Sequence, residues 1–413
     1  SHGARGVRVR RLGGDRAGEI RFTRFLRNPS VTSNEIVETA FARTQAACAE
    51  RDVLAVQDTT VTRSSRGGGS FMHAMIAVDA DSGAVLGALD AQFLERSEGG
   101  RASRRSRAFE NRQSVRWLDA ARKAGQIEGA TRVTVVADRE ADMFELFAHR
   151  PDHVDLLVRA THDRVLMGGG KLVARIANGP RQGYMALDLP AARGARTAHL
   201  SIRFGKFDLR PPRENRKTCP DPVSMVYVDM HEETPPEGQT PVHWRLLTTL
   251  EVETVADALD VAARYAKRWK IEDLFRTMKR KGFDIENLRI ADAAPRNLLI
   301  LACFVAATVV MQMVAARDGR RLRPLTDAFD PEDRSLVEAL SCNLEGSTER
   351  QKNPHVPGSL AFATWVCARL GGWTGYYGKP GPIVVLRGWA EFQTIKQGVA
   401  LGQGLSKWPP ENV

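Results

Sequence analysis

Three acids and one run of basic and aromatic side chains are the candidates for chemistry in this sequence. Asp58 in "AVQDTT" and Asp138 in "VVADRE" each follow an apolar run directly. That places a carboxylate at the carboxyl edge of a strand, where α/β sheets commonly put their ligands. Taken singly, each is also an ordinary turn former, and Asp138, ahead of a helical stretch, reads equally as a helix cap. The third acid, Glu272, stands in "YAKRWKIEDLFRTMK" among tyrosine, tryptophan and basic side chains. At about 100° per residue, Tyr265, Arg268, Glu272, Arg276 and Lys279 share one narrow helical stripe. A solvated helix also mixes charges, and pairs of Glu272 with Arg268 or Arg276 would contribute only about 0.3 kcal/mol each. A stripe that also holds Tyr265, with Trp269 at its flank, better suits a surface that meets phosphates and bases.

Periodicity predicts the strands and helices on which these side chains sit. "DVLAVQDTT" (Asp52 to Thr60) reads as a buried strand ending in polar residues, and "FMHAMIAVD" and "AVLGALDAQFL" as two strands joined by the Asp81-Ser82-Gly83 turn. A basic loop from Glu95 to Arg107 comes next, whose Arg101, Arg104, Arg105 and Arg107 suit either DNA contact or a plain solvated loop. Glu110 to Gly125 has helical periodicity, and "TRVTVVADREADMFELFAH" reads as a strand running directly into a helix. Such an α/β core lets its first and fourth strands lie side by side and parallel. From about Thr161 to Thr249 short β-like runs broken by Gly and Pro predict a β-rich insertion. Its Arg193, Arg196, Arg203, Lys206 and Arg210 form either a phosphate-binding surface or an ordinary charged face. Thr254, three residues ahead of Asp257, predicts a capping-box start to one helix that runs to a stop at Gly282.

Composition sets the outer bounds. The chain has 413 residues, 43% hydrophobic and 26% charged, enough apolar material for one large or two to three ordinary domains. Sixty Lys and Arg against 49 Asp and Glu leave a net charge of +11, which favours a polyanionic partner. Five cysteines, far apart and without CxxC spacing, suggest neither a disulfide framework nor a zinc site, and fit a reducing cytoplasm. Nine scattered histidines show no zinc spacing either. Leu298 to Ala316 reaches the lower length of a membrane span, but its Ala, Cys and Thr content and soluble flanks predict a helix buried on all sides, so no membrane partner is expected. The basic N-terminus has no apolar run that could serve as a signal peptide, and Ser1 and His2 read as a cloning remnant.

One set of motifs resembles a known family. Tyr265, Arg268, Glu272 and Lys279 fill the Y-x2-R-x3-E-x6-K signature of the DDE transposases of the IS-four group, bacterial cut-and-paste insertion-sequence enzymes with an RNase H-like core. "QDTT" and "DREAD" are similar to the contexts of that family's two catalytic aspartates, Asp58 and Asp138 here. Trp244 in "HWRLLTT" stands where the family stacks a tryptophan on a base flipped from the transposon end, and Arg159 in "LLVRATHDR" resembles an arginine that contacts the end DNA. The tail from "PGSLAFATWVC" onward resembles a helical region that pairs subunits.

The resemblance implies an α/β fold: an RNase H-like core (51–160 and 251–320) interrupted by a β-rich insertion (161–250), after a remnant of a DNA-binding region (1–50) and before a helical dimerisation region (321–413). It implies Asp58, Asp138 and Glu272 as ligands of two Mg²⁺ ions about 4 Å apart, with Mn²⁺ as a possible substitute, since hard cations take carboxylate oxygens. Tyr265, Arg268, Lys279, Trp244 and Arg159 would bind DNA. Double-stranded DNA (transposon ends and target) and a second copy on that DNA are the implied partners, in a cytoplasmic, nucleoid-associated setting. The implied steps are nicking of one strand at each end, hairpin formation, hairpin opening and strand transfer, all phosphoryl transfers with different nucleophiles. The departure is at the front: only 57 residues precede Asp58, and "FTRFLRNPSVTSNEIVETAFARTQ" matches just the later part of the family's DNA-binding region. Two other readings therefore stand beside it, a truncated non-catalytic inhibitor of transposition and an RNase H-fold nuclease; the latter explains the acids but not Trp244 or the stripe.

Overall fold

The computed structural model describes residues 7, 9–13, 15–65, 68–95, 114–189, 196–279 and 282–405. The basic loop arginines Arg101, Arg104, Arg105 and Arg107, and Arg193, lie outside the described residues. In chain order come α1 (Val9–Gly13), α2 (Arg16–Leu26), α3 (Ser33–Cys48), β1 (Asp52–Ser65), β2 (Gly68–Asp79), β3 (Val85–Glu95) and α4 (Val115–Ala124). Next are β4 (Arg132–Ala137), a 3₁₀ turn (Arg139–Ala141), α5 (Phe144–His149), β5 (Val154–Arg159), α6 (Leu172–Ala177) and β6 to β9 (Gly183–Asp188, Thr197–Leu209, Val223–His231, His243–Thr248). The chain ends with α7 (Val255–Ala266), α8 (Trp269–Lys279), α9 (Ala293–Ala316), α10 (Asp333–Leu344), α11 (Leu360–Leu370) and α12 (Pro382–Leu405).

All nine strands join one sheet in the order β3-β2-β1-β4-β5-β9-β8-β7-β6. This is a mixed α/β architecture compatible with an RNase H-like fold. The chain divides into two compact units: one of residues 48–83 and 89–271, the other of 1–47, 84–88 and 272–413.

In the first unit, β1, β4 and β5 run parallel, and their apolar runs are buried because both faces are covered. α4 buries Trp117, Leu118, Ala120, Ala121 and Ala124 and packs on β1 and β4. The expected parallel pairing of the first and fourth strands holds, and so does the turn at residues 81–83: Asp79 accepts from Ser82 N at 2.6 Å, and Gly83 takes a φ of 67°. The β-like runs after Thr161 become β6 to β9, joined to the same sheet through antiparallel pairing of β9 with β5. β6, at the sheet edge, alternates half-buried with exposed residues. Of the basic strand residues, Arg196 is tied to Glu232 and Arg203 to Glu233, so that face is internally neutralised at those points.

Thr254 caps α7 with the reciprocal Thr254–Asp257 box the sequence predicts. The helix expected to run on to Gly282 instead ends at Ala266. Lys267 N bonds to Arg264 O and Arg268 N to Tyr265 O, a 3₁₀-like step after which α8 starts afresh. Arg264 ties α7 to the start of β1, donating to both carboxylate oxygens of Asp52 at 2.9 and 2.8 Å.

In the second unit, α9 is the helix expected from Leu298 to Ala316. It is the single described helix long and apolar enough to cross a membrane, and 61% of that stretch is buried. Val310 and Met313 on it share a core with Phe329, Trp365, Val385 and Phe392. All five cysteines are free thiols, four of them buried. α11 and α12 cross with Gly371 and Gly388 at the contact: a Cβ on Gly388 would overlap the carbonyl oxygen of Cys367, and one on Gly371 that of Val384. Gly388→Ala is expected to lose about 3 kcal/mol in urea unfolding, because backbone rather than a flexible side chain must give way. A loss under about 0.5 kcal/mol would contradict so close a crossing.

Candidate active site

The β1–β4 ladder pairs Asp52 with Arg132 through Val56 with Val136. Asp58 and Asp138 each lie two residues beyond that last pair, so both acids stand just past the same end of the parallel ladder. A correction applies to Asp58. It does not end its strand: β1 continues to Ser65 because β2 goes on pairing with it after β4 has turned away, Asp58 lying opposite Ala74. Asp138 does stand directly after its strand, but it leads into a 3₁₀ turn and an extended Met143, with α5 starting only at Phe144. The cap reading is correct for it, since Asp138 Oδ1 accepts from Glu140 N at 2.9 Å.

Both oxygens of Asp58 are held. Oδ1 accepts from Thr59 N at 2.7 Å, and Oδ2 from Arg268 Nη1 at 3.1 Å. Arg116, on α4, donates to Thr59 Oγ1 at 3.3 Å and to Glu140 Oε2 at 2.9 Å, bridging the neighbours of the two acids. Burial lowers the pKa of Arg116, while the charges of Glu140, Asp138 and Asp58 pull it back up, which places this guanidinium in the field of both aspartates. Further along, Asp142 is fully enclosed: it accepts from Thr161 N at 2.6 Å, His162 N at 2.8 Å and the Arg164 guanidinium, anchoring the turn that carries Asp138.

Tyr265 and Arg268 depart from the expected stripe. They belong to the end of α7 and the step after it, and they are buried at 4% and 8% exposure, not displayed on a solvent-facing surface. The Arg268 guanidinium lies 5.8 Å from the Tyr265 ring and 5.6 Å from that of Trp269, which is 43% exposed. Trp244 meets the Tyr265 ring edge-on at 6.0 Å. Burial raises the Tyr265 pKa against the opposing pull of Arg268 and Arg159. Burial also lowers that of Arg159, with the Tyr265 side chain opposing and Arg139 and Arg268 adding to the shift. Arg159 opens on a cavity of about 330 Å³ lined by Arg139, Arg159, Ala160, Thr161, His243 and Arg245. The structure thus brings Asp58, Asp138, Arg159, Trp244, Tyr265 and Arg268 into one unit.

Glu272, half-buried, and Lys279 belong to the other unit, in the first and last turns of α8. Lys279 pairs with Glu286 at 3.1 Å, and Arg276 pairs with Asp273. Among the described residues no group of three or more His, Cys, Asp or Glu side chains stands together as a metal site.

Residues 49–309 match the profile of a known family, the transposase DDE domain. The chain belongs to that family. The matched segment holds Asp58, Asp138, Arg159, Trp244, Tyr265, Arg268, Glu272 and Lys279. Membership supports a transposase function, and with it DNA as the substrate and nuclease and strand-transfer chemistry. Thr59, Arg116, Arg139, Asp142 and Arg245 were not singled out by the sequence. Their one sequence signal is adjacency to Asp58, Asp138 and Trp244 in "QDTT", "DREAD" and "HWR", and Arg116 in "SVRWL" carries none.

Proposed function

We propose that the chain is a cut-and-paste transposase of the IS-four group, with Asp58, Asp138 and Glu272 as its catalytic acids. The observation that carries this reading is the placement of Asp58 and Asp138 just past the same end of the parallel β1–β4 ladder, with Arg116 in the field of both and Arg268 bonded to Asp58. Two carboxylates at the same end of a parallel ladder offer hard-oxygen donors of the kind Mg²⁺ takes, or Mn²⁺ in its place. Glu272 is added as third ligand on the signature alone. Bound by these acids, two such ions would polarise the scissile phosphate and stabilise the leaving oxygen.

The chain's own side chains supply the rest. Arg268 and Lys279 hold backbone phosphates beside the cut, and Arg159 grips the end DNA at its cationic cavity. Trp244, braced edge-on by Tyr265, stacks an unpaired base. The same acids serve end nicking, hairpin formation, hairpin opening and strand transfer, because each is in-line attack of an oxygen on a phosphodiester with departure of a 3′-oxygen or its equivalent. The β6 to β9 stretch acts as the insertion that presents Trp244, residues 321–413 as the region that pairs two copies on DNA, and the protein works in the cytoplasm at the nucleoid.

A labelled duplex carrying the element's terminal repeat tests this. With Mg²⁺ the chain is expected to nick at the repeat boundary and then convert the nick to a hairpin; nicking of any duplex without a hairpin would favour a plain nuclease, and dimerisation without DNA binding an inhibitor. Trp244→Ala is expected to weaken binding of a pre-nicked end duplex by about 1 to 3 kcal/mol, read by fluorescence anisotropy. An unchanged affinity would remove Trp244 from the DNA contact.

A further inference from the structure

On the face of β1 opposite Asp58 lies a buried histidine that the proposed mechanism does not use. His73 is 1% exposed and pairs with Thr59 across the β1–β2 ladder. Its Nδ1 is 2.9 Å from Thr59 Oγ1, its Nε2 is 2.9 Å from Gln57 Oε1, and its ring meets Trp117 edge-on at 4.5 Å. For a neutral ring these contacts order the protons. Gln57 Nε2 donates to the Trp117 carbonyl at 3.4 Å, so Oε1 is the amide atom facing the imidazole and can only accept. His73 Nε2 therefore carries the ring proton and Nδ1 is the acceptor. Thr59 must then give its hydroxyl proton to Nδ1, which leaves a lone pair for Arg116 Nε–H at 3.3 Å. The donors point one way throughout: Arg116 to Thr59 to His73 to Gln57 to the Trp117 carbonyl. Burial, and after it the Arg116 charge, holds the imidazole pKa well below its ordinary value, as a neutral ring requires.

Gln57 and Thr59 flank Asp58, and Thr59 is the residue whose backbone N–H holds Asp58 Oδ1 at 2.7 Å. We propose that His73, as the neutral Nε2–H tautomer, is a positioning residue for Asp58: it clamps both neighbours from behind and so fixes the carboxylate that Thr59 N–H and Arg268 orient. This rests on Asp58 being a metal ligand. Partners that orient ligands from behind typically change metal affinity by about 10- to 100-fold when removed.

The experiment uses the full chain labelled with ¹⁵N-histidine, with His73→Gln to assign the resonance, and Mn²⁺ titrations monitored by electron paramagnetic resonance. Wild type is expected to show a neutral Nε2–H ring at position 73. Thr59→Val keeps the side-chain shape and backbone N–H but lacks the hydroxyl; it is expected to give mixed tautomers and an Mn²⁺ affinity lower by about 10- to 100-fold, with Thr59→Ser returning both to within about threefold of wild type. An Nδ1–H ring in wild type, or an Mn²⁺ affinity in folded Thr59→Val within about twofold of wild type, overturns the proposal. Wild type that binds no Mn²⁺ overturns the metal reading and the positioning role with it, and the tautomer spectra then report on the hydrogen-bond chain separately.

Discussion

Asp58→Asn is expected to lower end cleavage by about 10³-fold or more, a loss of about 4 kcal/mol of transition-state stabilisation. The amide keeps the size of the carboxylate and can still accept from Thr59 N, so β1 and its ladder with β2 have no reason to shift. What it loses is the negative charge that pairs with Arg268 and that a hard cation needs. Two measurements separate these effects. Mn²⁺ binding should fall with cleavage, whereas binding of the end duplex should hold or tighten, since Arg268 no longer has an anionic partner at position 58 to compete with DNA phosphates. Cleavage within about tenfold of wild type would show that Asp58 is a structural partner of Arg268 and not a catalytic acid.

The largest stability effect belongs to the second aspartate of "DREAD". Asp142→Ala is expected to destabilise the protein by about 3 to 5 kcal/mol, because the Arg164 guanidinium would remain buried without a counter-charge and the N–H groups of Thr161 and His162 without an acceptor. Arg164 also lies over the Phe147 ring at 4.9 Å, so it cannot swing to water without opening the packing of α5. Chemical denaturation is the check. A loss below about 1 kcal/mol would mean that solvent reaches the pair. Partial unfolding should begin at the turn after β4, so Asp142→Asn, which keeps the shape and part of the bonding, is expected to lose cleavage through Asp138 before it loses the sheet.

How much of this was legible in the sequence depends on whether the cause was local. β1, β4 and β5 show as apolar runs because both faces of a parallel strand are buried, and the Thr254–Asp257 box shows because its hydrogen bonds close within three residues. The break between α7 and α8 has no glycine or proline to announce it, and helical periodicity carries across Lys267 and Arg268. For that reason the stripe looked like one exposed face, while Tyr265 and Arg268 are in fact interior and Arg268 spends a hydrogen bond on Asp58. The length of β1 depends on β2, a partner the run "VTRSS" does not reveal. The pairing of Asp142 with Arg164, the Arg116 bridge and the His73 clamp join residues far apart in the chain, and residue type alone does not pair them. Asp58 and Asp138 stand out in the sequence because each acid directly follows an apolar run.

The proposed chemistry requires Asp58, Asp138 and Glu272 to share one two-ion metal site. Fe²⁺ in place of Mg²⁺, with ascorbate and peroxide, generates hydroxyl radicals that cut the chain beside the bound ion. Shared ligation predicts backbone fragments ending near residues 58, 138 and 272, all suppressed together by excess Mg²⁺ and absent from Asp138→Asn. Fragments at 58 and 138 without 272 would remove Glu272 from the site. No Mg²⁺-suppressible cutting at any of the three would contradict a shared metal site altogether.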